Sequence, residues 1–156
     1  MKNVEIKVLM YKASAPSADY GDKLIAWWTH SKYSHCEIVV DDMKIAVYRT
    51  NGVVCYDYEG VNDEEFDVIP LELTVTAEHL YNFWRYVNTH MVGKKYDGLN
   101  IGLSQIVKIG IQDNNRYTCS EATTKVLQVL GVPEVWPVHP GDMSPGDLSE
   151  LLTGKR

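Results

Sequence analysis

What this sequence has little of narrows it first. It holds only three cysteines, Cys36, Cys55 and Cys119. An odd, low count is not a disulfide framework, and the spacings match no zinc pattern. Each cysteine is then either buried filler or a working thiol. Basic charge is also short: Lys and Arg total 15 against 21 Asp and Glu, for a formal net charge of -6. That argues against nucleic acid as the main partner, because phosphate contacts need clustered cations. No apolar run approaches the length of a membrane span. Met1 to Tyr11 lacks the apolar central run of a signal peptide. The chain as written is therefore expected to be made and kept in a cytoplasm, leaving it only by lysis or by a route with no visible signal. Low-complexity tracts and repeats of solenoid period are missing too.

What remains is globular material. The 156 residues suit one domain, 1–156, and 45% hydrophobic content supports a normal core. No metal or cofactor is expected. Val4, Ile6, Val8 and Met10 alternate with polar residues and read as a half-buried strand. Ala13 to Tyr20 reads as a loop, and Asp19 to Thr29 as a short helix. Three strands follow at Ser34 to Val40, Met43 to Thr50 and Val53 to Tyr58, and Asp67 to Leu73 adds a further candidate. A long helix is expected from Thr76 to about Met91, ended by Gly93. Leu99 to Ile111 reads as a buried helix. Another helix starts after Tyr117-Thr118 and runs to Leu130, closed by Gly131 and Pro133. The tail from Pro137 should wrap the surface before a last short helix. This order predicts an α+β fold with an antiparallel sheet.

The β-meander sorts its residues by face. Asn51-Gly52 is a strong two-residue hairpin signal. With two-residue loops, Val40 faces Met43, His35 faces Tyr48, Tyr48 faces Cys55 and Thr50 faces Val53. Side chains alternate along a strand. One face then holds Cys36, Ile38, Val40, Met43, Ile45, Val47, Val54, Tyr56 and Tyr58, a core face broken by Arg49. The other holds His35, Glu37, Val39, Lys44, Ala46, Tyr48, Thr50, Cys55 and Asp57, and is titratable. Taken alone, His35 and Glu37 would read as ordinary strand residues.

Cys119 changes their weight. It falls in the first turn of the helix that begins after Thr118. Unpaired N–H groups and the helix dipole there favour a thiolate. A thiolate is the nucleophile, a neighbouring histidine can hold it as an ion pair, and the same N–H groups can stabilise an oxyanion. The plain alternative is a small buried residue opening a buried helix. Cys36 and Cys55 fit that alternative better. His30, His79 and His90 are weaker bases than His35, with His139 in reserve.

Three segments, Ser34-His35-Cys36-Glu37-Ile38-Val39-Val40, Gly93-Lys94-Lys95-Tyr96-Asp97 and Tyr117-Thr118-Cys119-Ser120-Glu121, resemble the circularly permuted papain-like amidases. These are the YiiX-like relatives of the NlpC-type cell-wall peptidases. Phage-encoded proteins of this kind are also similar, including Trp27-Trp28-Thr29 before the Ser-His strand. The resemblance spans roughly Lys23 to Leu130. It implies an antiparallel meander or barrel packed on helices, with the histidine strand before the cysteine helix.

The same resemblance implies a Cys119–His35 pair and a third polar residue to orient the imidazole. The family's place for that residue falls here at Val47 or Tyr48, and Val47 cannot serve. Glu37 is preferred, with Tyr48, Thr50 and Asp57 as the other options on the His35 face. Tyr96 and Asp97 are expected to order the loop beside the cleft, and Tyr117 and Ser120 to support the nucleophile. The resemblance further implies amide or ester cleavage through a thioester. Its substrates would be a small peptide, an isopeptide, a peptidoglycan fragment or, by analogy with the lecithin:retinol acyltransferase-like branch, a lipid-like amide. A phage-encoded chain would act in the host cell or on its wall. Two rivals stand beside this: a binding or inhibitory module on a decayed hydrolase scaffold, and a purely structural protein. The last predicts Cys119 and His35 more than about 6 Å apart.

Overall fold

A computed structural model describes residues 1–96 and 116–154. The expected helix at Leu99 to Ile111, and Asp97, lie outside the described residues. The fold is α+β. Its elements are β1 (Lys2–Lys12), α1 (Tyr20–Trp28), β2 (Tyr33–Val40), β3 (Met43–Tyr48), β4 (Gly52–Asp57), β5 (Phe66–Val75) and α2 (Ala77–Tyr86). After them come β6 (Lys95–Tyr96), β7 (Arg116–Tyr117), α3 (Cys119–Leu130) and α4 (Pro145–Thr153). No described helix is long and apolar enough to cross a membrane.

Five strands form one antiparallel sheet in the order β4-β3-β2-β1-β5. β1 is an interior strand, paired on both sides, and its apolar period is buried: Val4, Ile6, Val8 and Met10 are inaccessible to solvent. Met10 lies opposite Cys36, Ile6 opposite Val40, and Val8 opposite Ile69 on the other side. β5 is the outer strand on that side and carries Pro70, which a sheet tolerates at an edge. The helices close over the face bearing Cys36, Ile38 and Val40. Leu80 and Phe83 of α2, Ala122, Val126, Leu127 and Leu130 of α3, and Leu148 of α4 complete that core. The helix predicted to run to Met91 leaves α geometry at Val87, and Val87–Met91 form a π turn. Nothing in the sequence explains that change.

The hairpin between β3 and β4 departs from expectation. Tyr48 pairs with Gly52 and Val47 with Val53. The connection is therefore Arg49-Thr50-Asn51, with Gly52 at φ +67° closing it, a three-residue loop with a left-handed residue. Asn-Gly does mark the turn, but Gly52 stands in the strand pair rather than in a two-residue loop. An odd shift in register exchanges the faces of a whole strand. Val53 is fully buried in the core and Cys55 packs against it, whereas Tyr56 moves to the face of Lys44. Thr50 sits exposed in the loop, so the expected pairing of Thr50 with Val53 is wrong and Thr50 belongs to neither face.

Gly52 is held for a second reason. A Cβ built there would lie 1.9 Å from the Lys94 carbonyl oxygen. Val53 N–H donates to that carbonyl at 2.8 Å, and Gly93 N–H donates to the Val53 carbonyl at 2.9 Å. The segment leading to β6 is thus fastened to β4. Gly52→Ala should lower stability by about 2 kcal/mol or more, from φ strain plus the backbone clash. Gly60→Ala has positive φ but open space, and should cost about 1 kcal/mol. Urea unfolding midpoints of the two variants check the difference.

Candidate active site

β2 turns its alternate residues to opposite sides. Cys36 points into the core, while His35 and Glu37 share the other face with Lys44 and Tyr48 of β3. That face is not simply solvated. Leu9, Val39 and Ala46 are buried there too, and Glu37 is only 3% exposed. A cavity of about 470 Å³ opens on it, lined by His35, Glu37, Lys44, Tyr48, Tyr96 and Cys119 among others.

Cys119 enters from the helix layer. Thr118 caps α3 by accepting from Glu121 N–H at 3.2 Å, and the Glu121 carboxylate accepts from Thr118 N–H at 3.4 Å. This capping box fixes the start of the helix. Cys119 is its first residue, at the positive end of the helix dipole. α3 packs against β2 and β3. That contact puts the Cys119 sulfur within hydrogen-bonding reach of both the His35 imidazole and the Cys36 thiol. Cys36 Sγ in turn lies 3.7 Å from Thr123 Oγ1, one turn along α3.

His35 is held from behind. Its Nε2 is buried 3.4 Å from Glu37 Oε1. Tyr48 Oη donates to the same Glu37 oxygen at 2.9 Å, and its ring stacks on the imidazole at 6.4 Å. Lys44 Nζ lies 2.9 Å from Glu37 Oε2 and sits over the Tyr56 ring. The Tyr48 and Tyr56 hydroxyls are 2.6 Å apart.

These contacts set the charges. The Cys36 thiol, donating to Cys119, holds that cysteine well below the ordinary thiol range against the effect of burial, with the His35 imidazolium adding to it. Cys36 is driven the opposite way by the same hydrogen bond and by burial. Burial disfavours a charged His35, but the Cys119 thiolate and Glu37 outweigh it and push its pKa up to about 10. Burial also disfavours a charged Glu37, yet His35 and Lys44 bring it down to about 2. Burial and the Tyr56 hydrogen bond raise Tyr48, so it remains a neutral donor. The result is a Cys119 thiolate, a His35 imidazolium and a Glu37 carboxylate in contact.

Of the residues singled out from sequence, Cys119, His35, Glu37, Tyr48 and Tyr96 come together at the cavity. Ser120 is buried and donates to the Met143 carbonyl, which ties α3 to the tail. Tyr117 is half-buried against the core and leads into the capping residue. Asp57 pairs opposite Met43 at the far end of β4 from the β3–β4 loop, and is exposed. The reserve residue His139 is exposed beside Asp142. The sequence pattern assigns Tyr56 to the core face, leaves Lys44 without a role, and reads Cys36 as buried filler on the core face, whereas the structure brings it beside Cys119. Only the parity of the β3–β4 loop would have found Tyr56.

Set against known proteins, the chain matches no family model, and no curated protein matches it.

The signs of these shifts fix a reactivity profile. Cys119, held well below the ordinary thiol range, is a thiolate where a free thiol is still protonated. His35 keeps its proton until about pH 10. Cys119 should therefore react with iodoacetamide on a plateau across neutral pH, and faster again as His35 deprotonates. Cys36 and Cys55, both raised, should stay protonated over the plateau. In His35→Ala the plateau should vanish and Cys119 reactivity fall at least about tenfold at pH 6. Peptide-resolved mass spectrometry reads each cysteine separately.

Proposed function

We propose that this chain is a cysteine hydrolase of papain-like type, acting on amide or ester bonds. One observation carries the proposal: Cys119 opens α3 within hydrogen-bonding reach of His35, whose Nε2 faces the buried Glu37. A nucleophile, a base and an orienting group in that order form the arrangement that acyl transfer needs. The resemblance of the three short motifs to permuted papain-like amidases points the same way. Glu37 is the third residue in this reading.

The steps follow from the groups present. The Cys119 thiolate attacks the carbonyl carbon, and the oxygen takes the negative charge. The Cys119 backbone N–H, which has no intrahelical partner in the first turn, donates to that oxyanion. The His35 imidazolium then gives its proton to the leaving amine or alkoxide, and a thioester remains on Cys119. Neutral His35 takes a proton from water, hydroxide adds to the thioester, and the acid departs as the ion pair reforms. A cavity of about 470 Å³ suits a small peptide or a lipid-like amide. Tyr11, Ile25 and Phe66 supply apolar wall, and Asp19, Asp22 and Arg49 supply charge at its rim.

Given p-nitrophenyl acetate, the protein should release a stoichiometric burst of p-nitrophenol and carry one acetyl group on Cys119. Cys119→Ala should abolish the burst while circular dichroism is unchanged. Glu37→Gln should slow it about 10- to 100-fold, as expected for losing an orienting group. An acetyl group spread over Cys55 and lysines, with no dependence on His35, would sink the reading.

A further inference from the structure

Lys44 has no part in the mechanism above, yet the structure treats it unlike a surface lysine. Its side chain is 14% exposed. Its ammonium touches Glu37 Oε2 at 2.9 Å and lies 5.0 Å from the Tyr56 ring centroid. Neutralising one strand carboxylate does not require burying a second ion, because a solvated Glu37 would need no partner. Glu37, however, also faces His35, and His35 faces Cys119. Four groups therefore alternate in sign: Lys44, Glu37, His35, Cys119.

We propose that Lys44 is a positioning residue that sets both edges of the pH window in which the Cys119–His35 ion pair exists. This rests on the hydrolase reading of the site. Lys44 acts through Glu37 and through space, and touches neither the sulfur nor the substrate cavity's reacting atoms. Its charge lowers the proton affinity of everything within reach. Removing it should therefore raise both edges together. Cys119 would lose its proton at higher pH, because a cation that favoured the thiolate is gone. His35 would also lose its proton at higher pH, because Glu37 would face it with less compensation. Glu37→Gln removes a negative charge from the same place and should move both edges down. Opposite shifts from two residues 2.9 Å apart distinguish electrostatic control from damage to the fold.

Other charged groups near the pair are placed to contribute less. Tyr11 lies opposite His35 on β1 and Tyr48 on β3 stays neutral. Lys7 is in the same cross-strand row as Lys44 through Val39, but is engaged by Glu5 at 3.0 Å. From α1, Asp22 accepts from Ser34 Oγ at 2.9 Å. Asp19 lies beside Arg49 at the rim of the cavity, and Glu65 lines it. Cys36, next to the sulfur, keeps its proton.

The test is the rate of Cys119 alkylation by iodoacetamide from pH 4 to 11, read by peptide mass spectrometry on the intact protein. It compares wild type, Lys44→Met, Lys44→Arg and Glu37→Gln. Lys44→Gln, which keeps a donor for Glu37, stands in if the methionine variant fails to fold. The expected result is an upward shift of both inflections by about half to one pH unit in Lys44→Met or Lys44→Gln. Lys44→Arg should restore the wild-type positions, and Glu37→Gln should shift both down. Inflections that stay put in the neutral variants, or that move in opposite directions, overturn the proposal. A wild-type profile with no low-pH thiolate would instead overturn the hydrolase reading on which it rests.

Discussion

The contact between the first turn of α3 and strand β2 is what the rest of the site depends on. A cysteine at a helix start is polarised, and a histidine on a strand is ordinary. The proposed chemistry depends on α3 packing against β2 so that Cys119 comes beside His35 and Cys36. That packing is fixed from three directions. The Thr118–Glu121 capping box sets where the helix begins. Ala122, Val126, Leu127 and Leu130 bury its inner face. Ser120 anchors its outer side to the carbonyl of Met143. A helix that began one residue later would rotate the cysteine by about 100° and remove it from the imidazole.

Burial then turns weak contacts into decisive ones. The His35 face was expected to be polar, but Leu9, Val39 and Ala46 are buried on it and Glu37 is only 3% exposed. In that setting an unpaired Glu37 carboxylate would be strongly disfavoured. Glu37 and His35, in the middle of the row, each therefore have an opposite charge on either side. For Cys119, His35 and Glu37 the partners outweigh burial and decide which form carries charge, whereas Tyr48 and Cys55 are raised chiefly by burial.

Much of this was legible from periodicity. The apolar alternation of β1, the 2-residue spacing of His35 and Glu37, and the helix start before Cys119 all depend on local patterns, and all three stand. The β2–β3 register was legible too, since Val40 does pair with Met43. What failed was the next hairpin. Asn51-Gly52 can close either a two-residue turn or the left-handed end of a three-residue loop. Local sequence does not separate them, because both need φ > 0 at the glycine. The clash of any Cβ at Gly52 with the Lys94 carbonyl is a long-range constraint, invisible along the chain. One misplaced residue in the loop reversed β4, hid Tyr56, and left Lys44 without its aromatic neighbour. The proximity of Cys36 to Cys119 was hidden for the same reason: it comes from packing between elements rather than from either pattern alone.

The alternating row has a consequence for the proposed reaction cycle. At rest, Cys119 and Glu37 carry negative charge while His35 and Lys44 carry positive charge, and the buried cluster is neutral. When the thioester forms, the thiolate is consumed and His35 gives up its proton in the same half-reaction. Both charges vanish together, and Glu37 and Lys44 remain as a matched pair. The cluster is again neutral. Without a cation at position 44, the cluster would carry one uncompensated negative charge, on the buried Glu37. A buried lysine on the far side of the carboxylate is thus a physically economical way to keep a dry cysteine–histidine pair neutral throughout, because the compensating charge takes no part in the proton transfers it balances.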